Sequence, residues 1–228
     1  GEVEYHGRII PAGEALSAEN ITPAVLGPKD GLSIVSSNAQ GEAMAAVLIR
    51  EVQDILHIAN AVFCLSLEGL NGGVAPLGET VNHLRGLSGQ IRCAEECRRL
   101  LAGSYLYQTD RSRALQDPLS FRCASAIHGS VLDALDFVCQ VLERQLNATD
   151  DNPCILLNEQ AISVSQNFET TTLALGVEML AGALCHLSKA ICYRLIHLSD
   201  PAFTGLSRFL TPTDVKVIAY GTIQKVYT

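Results

Sequence analysis

Residues 169–198 read ETTTLALGVEMLAGALCHLSKAICYRLIHL, and past Glu169 their charges are few: Glu178, Lys189 and Arg194. The pattern predicts one helix of about thirty residues, roughly 45 Å at about 1.5 Å per residue, longer than most globular helices. A helix that is apolar on nearly every side must be surrounded. It belongs at the centre of a helical bundle or in a subunit interface.

The other segments fit an all-α fold. Over 38–70, Val47, Leu48, Val52, Ile55, Leu56, Ala59, Val62 and Phe63 recur at three- and four-residue steps. NGGVAP, at 71–76, stops that helix. A shorter helix is expected over 88–101, with EECRR on its wet side. A third, over 123–147, buries Ile127, Val131, Leu135, Val138, Leu142 and Leu146 until NATDDNP halts it. Val3 and Tyr5 alternate with polar residues before His6 and Gly7, which predicts a hairpin, and CILLNEQAISVS suggests another. Residues 10–33, with Pro11, Pro23 and Pro28, are expected to be loop. The expected whole is a bundle of long, mostly antiparallel helices over 36–228, led in by hairpin and loop over 1–35. It reads as one helical segment of a longer chain, 1–228, ending inside a helix at YGTIQKVYT.

Of the 228 residues 48% are hydrophobic and 18% charged, which excludes disorder by composition and suggests apolar surface covered by a partner. The net charge of -8, with no basic cluster, argues against a nucleic-acid surface. One or two arginines still suffice for a small anion. No uninterrupted apolar run of membrane-spanning length and no signal-peptide pattern is seen, so a cytoplasmic protein without a membrane partner is expected. The eight cysteines follow no disulfide or zinc spacing and suit buried thiols in a reducing compartment. Cys93 and Cys97 share a helix face, but no second ligand pair accompanies them, so packing is expected and no metal.

Polar groups collect where helices begin: Ser36, Ser37 and Asn38 before the first, Gln116 and Arg122 before the third, Gln166 and Asn167 before the last. Each set can cap a helix. Together they can also form a carboxylate receptor, because helix N-termini attract anions and an arginine joined by amides binds carboxylate well. His128 lies either within reach of that pocket or, as a helix-packing residue, away from it. His57, His186 and His197 have apolar neighbours and read as structural. No Ser-His-Asp order, phosphate loop or metal site is visible.

QDPLSFRC followed by HG, LERQLNATDDNP and SVSQNFE resemble, in order, three signature stretches of the aromatic amino-acid ammonia-lyases and related aminomutases. GEVEYHGRIIPAGEAL and KDGLSIVSSNAQ are similar to two further segments of that family. The resemblance implies the central part of an all-helical ammonia-lyase fold, a homotetramer, and active sites shared between subunits. It implies a methylidene-imidazolone electrophile, made from an Ala-Ser-Gly that these residues do not contain, and a tyrosine base from another loop. No catalytic residue is then expected in this segment. Histidine, phenylalanine or tyrosine would lose ammonia to give the matching acrylate. Arg122 would hold the substrate carboxylate, with Asn167 assisting, Gln116 lining the pocket and Asn38 binding nearby; Leu119, Phe168, Glu169 and Ser36 would complete the wall.

Three departures stand out. Leu119 occupies the place of a family tyrosine, Ser36 and Asn38 compete for that of a family asparagine, and Glu169 stands where His or Gln is usual. A non-catalytic scaffold or small-acid-binding homologue is the alternative. The helical fumarase and aspartase group is less favoured, for want of its flexible serine loop. Alone, the segment is expected to be inactive.

Overall fold

A computed structural model describes residues 1–218, 221, 223 and 225. Its elements follow in the order β1 (Glu2–Tyr5), β2 (Arg8–Pro11), α1 (Ala12–Ala18), α2 (Asp30–Ser36), α3 (Ala39–Leu70), α4 (Glu79–Arg85), α5 (Ser88–Leu100), α6 (Leu119–Arg122), α7 (Ala124–Leu146), β3 (Cys154–Leu156), β4 (Ala161–Ser163), α8 (Thr171–Leu198) and α9 (Pro201–Thr204). Helix takes up 62% of the described residues, and the strands described form two small antiparallel pairs, so the class is all-α. Most of the expected terminal helix, at YGTIQKVYT, falls outside the described residues.

Contacts divide the chain into two units. One joins 1–38 with 150–168; the other joins 39–149 with the described part of 169–225. The stretch 150–168, read from sequence as part of the bundle, thus groups with the lead-in.

In the first unit, β1 pairs with β2 from Glu2 opposite Pro11 to Tyr5 opposite Arg8. His6 and Gly7, both at positive φ, make the turn. The expected loop over 10–33 is only partly a loop, because α1 and the start of α2 fall within it. Pro11 does not break structure there; it stands at the N-terminal boundary of α1, where its missing N–H costs nothing, and Ala, Glu and Leu carry the helix on. Ser36 closes α2 rather than opening the next helix.

In the second unit α7 is the central element, packed against α3, α5 and α8. Val131, Leu135, Val138 and Leu142 meet Val52 and Leu56 of α3 and Leu173, Leu180 and Leu187 of α8 in one core. A second core joins Phe63, Cys64 and Leu67 of α3 to Cys97 of α5, Phe121 of α6 and Ala124 of α7. Cys97 therefore lies inside, not on the wet side of its helix. Leu146, expected in the buried stripe, is exposed at the end of α7.

The apolar pattern of α3 covers two stripes. Val52, Leu56, Ala59 and Phe63 are buried, while Met44 and Val47, then Ile55, Ile58, Val62 and Leu65 at three- and four-residue steps, face outward. Nor is α8 surrounded: Leu175, Met179 and Tyr193 are open within the single chain. By length and composition alone both α7 and α8 are long and apolar enough to cross a bilayer, although no uninterrupted apolar run of that length was expected from the sequence. Here both are packed into the bundle.

Helices α5 and α7 meet backbone to backbone. A Cβ on Gly129 would lie 2.3 Å from the Gln90 nitrogen, and one on Gly89 would lie 2.0 Å from the Gly129 oxygen. Asp133 Oδ1 accepts the Gly89 N–H at 2.7 Å, tying the first turn of α5 to α7. Backbone cannot rotate out of the way as a side chain does, so Gly129→Ala should force the helices apart. The expected loss is about 2 kcal/mol or more in urea unfolding of the purified protein, with Gly182→Ala, which meets nothing, as the control.

Candidate functional site

Gln116 and Arg122 do come together. Arg122 Nη1 donates to Gln116 Oε1 across the short helix α6. Pro118 opens that helix, and its carbonyl accepts the N–H groups of Phe121 and Arg122, each at 2.9 Å. Phe121 is buried in the second core, which anchors α6 by its greasy residue and leaves Arg122 half-buried beside it. Arg122 is thus a helical residue rather than part of a loop before α7.

Leu119 points outward, 61% exposed. With Pro118, Cys123 and Ile127 it faces His186, Lys189 and Tyr193 of α8 across an open, mainly apolar cavity of about 640 Å³. Glu169 lies at the start of α8, where its carboxylate accepts the N–H of Thr171 at 2.9 Å and also its hydroxyl. Those hydrogen bonds, the hydroxyl's first, hold its carboxyl below the usual range. Glu169 thereby satisfies one N–H in the first turn of α8.

The other expected residues belong to the first unit. Asn38 Nδ2 donates to the Phe168 carbonyl at 3.0 Å. Both residues, with Ser36, line a cavity of about 290 Å³ whose wall is completed by Asp150, Asp151 and Asn152. Lys29 pairs with Asp151 at 2.5 Å and donates to the Pro153 carbonyl, and its hydrogen bond keeps the Asp151 carboxyl low. Asn167 Nδ2 reaches the Cys154 sulfur at 3.7 Å. Among the described residues no cluster of His, Cys, Asp and Glu is placed to hold a metal ion.

The profile of the family described as "Aromatic amino acid lyase" matches residues 1–227. This chain belongs to the aromatic amino acid lyase family. It is 33% identical over 212 residues to a histidine ammonia-lyase of Geobacillus sp. (strain WCH70), covering 93% of this chain and 42% of that enzyme. Among solved structures, the ergothioneine-degrading enzyme ergothionase of Treponema denticola, in complex with desmethyl-ergothioneine sulfonic acid, is 57% identical with a TM-score of 0.90. That match covers 99% of this chain and 46% of the Treponema chain. Histidine ammonia-lyase of Trypanosoma cruzi, at 23% identity and TM-score 0.86, shares the fold; it covers 100% of this chain and 43% of its own. The chain thus spans less than half the length of these relatives.

Sequence reading of this lyase segment missed Lys29 and Asp151, whose pairing joins positions far apart in the chain. It also missed Asp117, which accepts the Gly73 N–H at 2.7 Å. The pair Gln116-Asp117 was in view, but only Gln116 was given a role; the short polar step from Asp117 to proline was the available signal.

His128 is settled as a buried packing residue. Arg194 can only donate, so His128 Nε2 accepts from it at 3.1 Å and the Nδ1–H must donate to Asn60 Oδ1 at 2.6 Å. Asn60 Nδ2 passes the direction on to Glu96 at 2.7 Å, and His57 donates to the same carboxylate from the surface. Burial first, then the Arg194 charge, push the His128 pKa from 6.5 down to about 3. At pH 7 the ring is neutral in the folded protein and mostly neutral in the unfolded chain, so it contributes little pH dependence. As pH falls below 6.5 the unfolded chain takes up the proton while the folded one does not, so stability is lost down to about pH 3. His128→Gln, which can accept from Arg194 and donate to Asn60, should lose less between pH 7 and pH 5, by about 2 kcal/mol in paired urea melts.

Proposed function

We propose that the whole protein is a carbon–nitrogen lyase acting on ergothioneine, the trimethylammonium betaine of a 2-thiolated histidine. The observation behind this is the 57% identity to ergothionase across almost the whole chain, against 33% to a histidine ammonia-lyase. L-Histidine, L-phenylalanine and L-tyrosine, whether by ammonia loss or aminomutase chemistry, are the competing substrates.

In this proposal Arg122 receives the substrate carboxylate. Gln116 occupies one Nη1 donor and fixes the guanidinium plane, leaving the rest of the five-donor fork for a planar, bidentate anion. A base outside these residues takes the β-proton. The C–N electron pair leaves on nitrogen as neutral trimethylamine, and a double bond forms between the α and β carbons, conjugated with carboxylate and ring. Asn38, Asn167 and Phe168 would add their amides and aromatic face to the wall of a site built by several copies.

A methylidene-imidazolone, when present, supplies an electrophile for a primary amine. Leu119 stands where the resemblance implies a tyrosine, so the hydroxyl expected near such an electrophile would be missing, a poor fit to it. A quaternary nitrogen has no lone pair to add to an electrophile and is already a leaving group. The betaine therefore needs no step through it.

The outward apolar stripes on α3 and α8 support a homotetramer with these helices at its core. In sedimentation the whole protein should run as four copies, and Ile58→Glu as fewer; an unchanged tetramer would remove the α3 stripe from the interface.

The activity test uses the whole protein with each substrate, identifying the released amine by mass spectrometry. Ergothioneine should yield trimethylamine and an absorbing acrylate, far faster than L-histidine yields ammonia. Arg122→Ala should raise KM roughly 10- to 100-fold, and Arg122→Lys should restore little of it. Faster loss of ammonia from L-histidine would make this a histidine ammonia-lyase. Binding without turnover would favour a small-acid-binding homologue.

A further inference from the structure

We infer that the Asn71-Gly72-Gly73 turn closing α3 is the positioning device for the Gln116–Arg122 pair, acting through Asp117; this rests on the proposed role of Arg122. The three turn residues hold the segment 106–117, a strap leading into α6, at successive points. Asn71, at φ +57, accepts from Arg113 through its side-chain oxygen at 3.0 and 3.2 Å and donates to Asp110 at 2.7 Å. The same Arg113 guanidinium donates to the Leu106 carbonyl at 2.7 Å, closing the strap on itself. Gly72 is buried where a Cβ would meet a Leu67 methyl at 2.4 Å and Asp117 Oδ2 at 3.0 Å, so any side chain there would displace Leu67 and crowd the Asp117 carboxylate. Gly73 then gives its N–H to Asp117.

The far end is held differently. Phe121 sits in the core with Leu67, the residue that also packs under Gly72. Asp117 and Phe121 are therefore two anchors on one platform, a hydrogen bond at one end and a buried ring at the other. Gln116 lies immediately before the first anchor and Arg122 immediately after the second. The span between them is short and its ends are fixed, so the Gln116–Arg122 bond is held in register by the turn rather than by its own strength. A bond between two side chains near the surface would otherwise be exchanged readily for water.

The test compares Asp117→Ala and Asp117→Asn in the whole protein. Asparagine keeps an oxygen that can accept from Gly73; alanine does not. Hydrogen exchange at the Phe121, Arg122 and Cys123 amides should speed up at least tenfold in Asp117→Ala and return towards wild type in Asp117→Asn. With ergothioneine, KM should rise about tenfold in Asp117→Ala with kcat little changed. In an Arg122→Ala background the same change should add no further increase. Asp117→Ser serves should the alanine variant not fold. Unchanged exchange at the three amides, or KM effects that multiply in the double variant, would overturn the inference. If the wild type consumes no ergothioneine while Asp117→Ala still loosens those amides, the functional proposal fails and the positioning role stands.

Discussion

The direct backbone contact between α5 and α7 at Gly89 and Gly129 is the constraint on which the second unit depends. Because no side chain intervenes, α5 lies deep enough for Cys93, Ala94 and Cys97 to be almost wholly buried. Burial pushes the Cys93 thiol up to about 12, which keeps it protonated and a poor nucleophile. The contact also fixes α7, and α7 begins just after Arg122. Whatever sets the depth of α7 sets the base on which the Gln116–Arg122 pair stands.

A buried polar chain complements that contact. Arg194, His128, Asn60 and Glu96 come one each from α8, α7, α3 and α5, and each donates to the next. Arg194 also lies over the face of Phe63, 5.3 Å from the ring centroid. Such a chain has one direction and one register. A helix slipped by a turn would leave buried donors and acceptors unmatched, a cost the apolar contacts alone would not impose. Stability is drawn from the Leu and Val core, while uniqueness of the arrangement comes from these few polar groups.

Much of this was legible in the sequence because it is local. The His6-Gly7 turn, the extents of α5, α7 and α8, and the polar pair at Gln116 and Arg122 all follow from spacing and turn chemistry. Pro11 misled, since proline marks loops and helix starts alike. Periodicity also treats Val47, Ile55 and Val62 like Val52 and Leu56, because it reports an apolar stripe and not what covers it. The links from Asp117 to Gly73, Lys29 to Asp151 and Asn60 to His128 join residues distant in the chain, and no local pattern encodes them. Leu119 and Glu169 were visible as departures from a family pattern. Their surroundings, an open apolar cavity and the first turn of α8, needed the fold.

In the proposed function this segment orients a carboxylate while the bond-breaking groups come from outside it; the family membership and the Gln116–Arg122 pair support that reading. The most direct measurement is a crystal structure of the whole protein with desmethyl-ergothioneine sulfonic acid. The account predicts the ligand carboxylate on the Arg122 guanidinium, with the Gln116 amide still holding that side chain in place. A carboxylate bound elsewhere, with Arg122 and Gln116 paired to each other and out of its reach, would contradict it.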